Sequence, residues 1–139
     1  MEAKKIIITG GATRIGSAIA KSLAGYNVDI VIHFNKSKKL AQKLKTELEE
    51  IGSKVYLIKV DLSNINQVKK IVPFAHKKMK GLDCLINNAS LFEKDDLENF
   101  SDKSFSKHVD INLKAPAFLI KDFKRYVKNK EANVINIID

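Results

Sequence analysis

The stretch Thr9-Gly10-Gly11-Ala12-Thr13-Arg14-Ile15-Gly16 has the residue types of an anion cradle. Gly10 and Gly11 permit a tight turn and a close approach of backbone to ligand. Gly16 lets a following helix pack closely on a sheet. Before the stretch lies an apolar run, Lys5-Ile6-Ile7-Ile8-Thr9; after it Ile15, Ala18, Ile19 and Leu23 recur at helical spacing. Unpaired N–H groups at such a helix start, together with the helix dipole, suit a diphosphate. A glycine cluster at a strand–turn–helix junction also serves the turn alone, but its place in the first βαβ unit of the chain favours a ligand.

Charge at the end of the second strand bears on which nucleotide would bind. Val28-Asp29-Ile30-Val31-Ile32 is followed by His33-Phe34-Asn35-Lys36-Ser37, with no acid at the tip. Sites that prefer NAD usually place a carboxylate there for the ribose 2′-hydroxyl. Asp29 stands near the strand's start, about five residues and roughly 16 Å from the tip at the usual rise. Asn35, Lys36 and Ser37 would instead meet a 2′-phosphate with donors and positive charge, and His33 beside them is a further cofactor-binding candidate. Arg14 can add a guanidinium to the phosphates or to a substrate carbonyl. NADP(H) is the expected cofactor; the alternative is that Lys36 simply belongs to a general lysine excess.

The elements that must hold these residues follow from periodicity. Strands are expected at Lys5–Thr9, Val28–Ile32, Val55–Val60, Leu82–Ile86 and Asn133–Ile138. Helices are expected from about Thr13 to Ala24, from Lys38 to Ile51 with Ser37 as N-cap, and from Ile65 to Lys80 with a break at Pro73. A last helix should run from roughly Lys107 to Lys128, interrupted near Pro116. Alternating strands and crossover helices indicate an α/β, doubly wound parallel sheet in a single domain over residues 1–139. Right-handed crossovers then require the order 3-2-1-4-5, with the ligand crevice between strands one and four.

Composition narrows the function classes. The 139 residues carry 25 Lys+Arg against 16 Asp+Glu, a formal charge of +9. Only Arg14 and Arg125 are arginines, and bidentate reading of nucleic acid draws on Arg, so the lysines read as a solvated face rather than a nucleic-acid footprint. No apolar run approaches the roughly 18 residues of a membrane span. One cysteine, Cys84, precludes an intramolecular disulfide and reads as a core residue. His76 and His108 have no acidic partner at metal-ligand spacing, so no metal is expected. Without a visible leader, a cytoplasmic setting is the expectation. Glu93, Asp95, Asp96 and Glu98 form an acidic loop, either solvated or acting as a lid.

The glycine segment resembles the Thr-Gly-x-x-x-Gly-x-Gly fingerprint of the short-chain dehydrogenase/reductases, with Arg14 at the middle glycine. Further segments match in order. Asp61-Leu62-Ser63 resembles the family's adenine-contacting motif, and Asn87-Asn88-Ala89-Ser90 resembles Asn-Asn-Ala-Gly, which lines the cofactor pocket. Asn112 in Asp110-Ile111-Asn112-Leu113 resembles the helix asparagine of the catalytic tetrad. Asn136-Ile137-Ile138-Asp139 resembles the strand that normally ends in the catalytic serine, so Asn112 and Asp139 are the catalytic candidates.

Arg14, Ser90 and Asp139 together are similar to the pteridine-reductase branch, which implies NADPH-dependent reduction of a pterin-like ring or another carbonyl or imine substrate. Phe92 stands where that branch stacks an aromatic on the substrate; a loop aromatic tucked into the core is the alternative. The resemblance implies a homo-oligomer for a complete member. It also implies a Tyr-x-x-x-Lys helix shortly after Asp139, where this sequence stops. Of Tyr26, Tyr56 and Tyr126, only Tyr126 has a lysine four residues on, and that pair lies on the wrong helix. The chain therefore reads as the N-terminal part of an oxidoreductase, or as a nucleotide-binding half-domain without turnover. Without a later helix, one alternating set of the fourth and fifth strands should be bare: Leu82, Cys84 and Ile86, or Asp83, Leu85 and Asn87.

Overall fold

The structure is a computed structural model that describes residues 2–128 and 131–138. Strands β1 (Lys4–Ile8) and β2 (Val28–Phe34) bury both faces, so each needs cover front and back and must lie inside a parallel sheet. With β3 (Lys54–Lys59), β4 (Cys84–Asn87) and β5 (Asn133–Asn136), they form one sheet in the order β3-β2-β1-β4-β5. Every pairing is parallel: Ile8 stands opposite Ile32 and Ile86, and Asn87 opposite Asn136. This is the doubly wound, Rossmann-like sheet expected from the sequence, and its winding reverses between β1 and β4.

The alternation of strand residues divides the core in two. Ile6, Ile8, Ile30 and Ile32 face α1 (Arg14–Ala24) and α2 (Lys38–Glu50), meeting Ala20, Ala24, Leu44 and Leu48. Ile7, Val31 and Leu85 face the other way. There they meet Val68 of the short α3 (Ile65–Val68) and Val72 and Ala75 of α4 (Ile71–Met79). Farther along the chain come α5 (Asp102–Val109) and α6 (Ala115–Tyr126), the latter adding Leu119 and Phe123 to the second core.

Several element ends differ from expectation, each for a local reason. The third helical stretch divides at Lys69-Lys70, before Pro73 rather than at it. Asn64 caps α3 by accepting the Asn66 and Gln67 N–H groups, and Pro73 falls in the first turn of α4, where an N–H has no helical partner. The last helix begins at Asp102, not near Lys107, because Ser101 accepts the Ser104 N–H and starts α5. Ser37 precedes α2 but its side chain makes no capping bond.

The bare alternating set of β4 does not occur. Leu82 and Leu85 are buried in the second core and Ile86 in the first, because extended structure begins only at Cys84 and Leu82 turns to the opposite side. The fifth-strand part of the expectation does occur: at the edge of the sheet Val134 is 39% and Ile135 45% accessible. Asn87 donates through Nδ2 to Asn136 Oδ1 at 2.9 Å across this edge, while its own buried Oδ1 has no partner.

Candidate cofactor-binding and active site

The glycine turn is built by β1 running straight into α1. Thr13 stands at the N-cap with extended backbone and makes no side-chain cap, and no acid occupies the first turn. Among the described residues no acceptor takes the N–H groups of Arg14, Ile15 and Gly16, so three amides at the positive end of the dipole are without a partner.

Close approach explains the glycines. Gly10 has φ +59, and a Cβ there would lie 2.9 Å from the Ala89 Cα. At Gly16 a Cβ would come 2.6 Å from Asn88 Nδ2. Arg14, at the position the family usually gives to glycine, holds φ +49. A non-glycine residue is strained in this left-handed region, so the turn itself accounts for the glycine usual there.

The loop after β4 is fastened to the turn by one buried residue. Thr9 Oγ1 accepts the N–H groups of Asn88 and Ala89, each at 3.0 Å. Asn88 Nδ2 returns bonds to the Thr9 and Gly10 carbonyls at 2.9 and 3.2 Å. The expected crevice at the β1/β4 reversal thus has the glycine turn on one wall and Asn88-Ala89-Ser90 on the other, with Ser90 exposed.

At the tip of β2, Asn35 and Lys36 are exposed and Ser37 is partly so. His33 is not a free donor beside them. Its ring is 2% accessible and both nitrogens are engaged: Nδ1 accepts the Gly10 N–H at 3.0 Å and Nε2 meets the Val60 carbonyl at 3.0 Å. It supports the glycine turn from behind. Burial holds its pKa below the ordinary value. At the end of β3, Asp61 Oδ1 accepts both the N–H and the hydroxyl of Ser63, which keep its carboxyl below the usual range, helped by Lys107 and Lys36. Leu62 beside it is buried in the second core.

Asn112 lies in a π-helical turn, Asp110–Lys114, between α5 and α6. Pro116 has no N–H to donate to the carbonyl four residues back, that of Asn112, and the chain widens so that the Ala115 N–H reaches the Asp110 carbonyl instead. Asn112 Oδ1 accepts the Leu91 N–H at 2.7 Å and its Nδ2 donates to the Leu91 carbonyl at 2.8 Å. Phe92, next in the chain, is not tucked into the core: it is 86% accessible. Asp139, the other catalytic candidate, lies outside the described residues. Tyr126 is at the opposite end of the sheet, its ring 5.0 Å from that of His76, in a hollow with Lys4 and Asp83. The described residues contain no cluster of three potential metal ligands and no helix long and apolar enough to cross a membrane.

Sequence reasoning missed His108 and Lys107. His108 Nε2 accepts the Glu93 N–H at 3.1 Å, and Lys107 pairs with the Glu93 carboxylate. No spacing rule signals these contacts, since the partners meet only in the fold.

A model described as short chain dehydrogenase matches residues 4–138. The 3-oxoacyl-acyl-carrier-protein reductase FabG of Buchnera aphidicola is 30% identical over 136 residues, covering 96% of this chain and 54% of that protein. A short chain dehydrogenase from Burkholderia cenocepacia in complex with NADP has TM-score 0.93 at 27% identity, over 97% of this chain and 55% of that one. FolM alternative dihydrofolate reductase 1 from Brucella suis in complex with NADP has TM-score 0.89 at 30% identity, over 96% of this chain and 56% of that one. The chain spans about half the length of the curated relatives it matches. Since the match runs from the first residue of β1 to the residues just past β5, this chain belongs to the short-chain dehydrogenase family.

Proposed function

We propose that this chain is the NADP(H)-holding part of an oxidoreductase acting on a pterin-like or other carbonyl or imine substrate. One observation carries the reading: three amides at the start of α1 have no acceptor, and the tip of β2, tied to the glycine turn through His33, presents exposed Asn35 and Lys36 and no acid. The residues present fit the cofactor. The amides of Arg14, Ile15 and Gly16 would hold its diphosphate, and Asn35, Lys36 and Ser37 its 2′-phosphate. Asp61 and Leu62 would border the adenine, and Asn88, Ala89 and Ser90 the far wall. His33 would keep Gly10 in place without touching ligand.

When bound, the reduced nicotinamide supplies the hydride. Phe92 would present an apolar ring face to a planar substrate, and Asn112 would hold the backbone beside it. A pterin-like substrate is supported by the likeness to FolM alternative dihydrofolate reductase 1; the likeness to the 3-oxoacyl-acyl-carrier-protein reductase FabG keeps other carbonyl compounds in view. Cytoplasmic placement and self-association belong to the same reading.

The test is a fluorescence titration with NADPH and NADH. At least tenfold tighter binding of NADPH is expected, and a tenfold preference for NADH overturns the assignment. A second reading, nucleotide binding without turnover, is favoured by the position of Tyr126, far from the crevice. Loss of NADPH absorbance on adding dihydrobiopterin separates the two.

A further inference from the structure

Phe92 combines two properties that rarely occur together on a loop. Its ring is 86% accessible, yet the backbone on both sides of it is held. Before it, Leu91 is fixed through its N–H and carbonyl by Asn112. After it, the Glu93 N–H donates to His108 Nε2 at 3.1 Å. An exposed aromatic normally gains by folding down onto its own loop, and this segment is held so that it does not.

The partners of His108 determine its form. The Ser104 carbonyl, 2.8 Å from Nδ1, can only accept, so Nδ1 carries a proton. The Glu93 amide can only donate, so Nε2 carries a lone pair. The ring is thus a neutral tautomer bridging α5 to the loop. Lys107 closes the same contact by pairing with the Glu93 carboxylate, and Ser104 Oγ donates to Asp95 Oδ2 at 2.6 Å a little farther along.

We propose that His108 is a positioning residue for the substrate subsite: by accepting the Glu93 N–H it locks residues 91–93 and holds the Phe92 ring out for a planar substrate. The proposal rests on the reading of Phe92 given above. Ordering the segment before ligand arrives removes an entropic penalty that binding would otherwise carry.

The test compares the full chain with His108→Leu, which removes the acceptor, and His108→Gln, whose side-chain oxygen reaches the place of Nε2. Amide hydrogen exchange at Glu93 is read without ligand. Affinities for NADPH, and for dihydrobiopterin with NADPH present, are read by fluorescence. In His108→Leu, protection of the Glu93 amide should fall about tenfold and dihydrobiopterin affinity about fivefold, with NADPH affinity unchanged within about twofold. His108→Gln should restore both. Unchanged Glu93 protection in His108→Leu overturns the proposal, as does an equal loss of NADPH and dihydrobiopterin affinity. A wild-type chain that ignores dihydrobiopterin while the Glu93 amide behaves as expected removes the pterin reading and supports the lock itself.

Discussion

His33 Nδ1 accepts the N–H of Gly10 at 3.0 Å, so the glycine turn at the end of β1 hangs from a ring on the neighbouring strand. The His33 carbonyl also accepts the Gly11 N–H at 3.1 Å, and Nε2 donates to the Val60 carbonyl. One residue thereby ties β1, β2 and the end of β3 together directly behind the glycine turn.

This arrangement requires a neutral imidazole, which gives a pH prediction. The folded-state pKa lies below the ordinary 6.5, chiefly through burial. Above that ordinary value both folded and unfolded chains carry neutral His33, and its contribution is complete. As pH falls below it, the unfolded chain gains a proton that the folded chain refuses. Stability should decline by up to about 1.4 kcal/mol per pH unit until the folded-state pKa is reached. Urea unfolding between pH 7.5 and 5 measures the slope, and His33→Gln should flatten it.

Arg14 predicts a trade between stability and binding. Its φ of +49 is a conformation that glycine adopts without strain. Arg14→Gly should therefore stabilise the chain by about 1 kcal/mol. The same change removes a guanidinium beside the cradle and should weaken NADPH binding about tenfold, the scale of one charge-assisted hydrogen bond. A thermal melt and a titration on one preparation read both effects, and a variant that loses stability would contradict the strain argument.

Thr9 is the pin of the crevice. Its Oγ1, on a residue 2% accessible, serves the amides of Asn88 and Ala89 together. Thr9→Val keeps the shape but leaves both donors without a partner, at a cost of about 2–4 kcal/mol. Thr9→Ser keeps the oxygen and should lose under about 1.5 kcal/mol, the scale of a buried methyl group. Urea denaturation of the pair isolates the hydroxyl.

These residues also show what a sequence discloses. The sheet order was legible because Ile6 to Ile8 and Ile30 to Ile32 must be buried on two sides, and only a few right-handed topologies allow that. The glycine turn was legible because backbone geometry demands residue types at fixed spacing. Helix ends were less so: Asn64 and Ser101 act through single side-chain bonds that periodicity does not register. Least legible were the histidines. His33 meets a carbonyl 27 residues on and His108 an amide 15 residues back, so the sequence shows two ordinary imidazoles until the fold joins them to their partners.

Lys36 carries the prediction on coenzyme choice. It is exposed at the tip of β2, and its positive charge is the smallest of the influences that hold the Asp61 and Glu93 carboxyls below their usual range. A 2′-phosphate brought there would share Lys36 with two carboxylates, and the cation would then be a large part of what makes the site tolerate more negative charge. Lys36→Glu should lower NADPH affinity at least tenfold, the scale of losing one charge-assisted contact, while NADH affinity changes by less than about threefold. Because the site is exposed, raising salt should weaken NADPH binding in the wild type and much less in the variant. Parallel NADPH and NADH titrations at low and high salt measure this, and an equal loss for both nucleotides would show that Lys36 holds the loop rather than the phosphate.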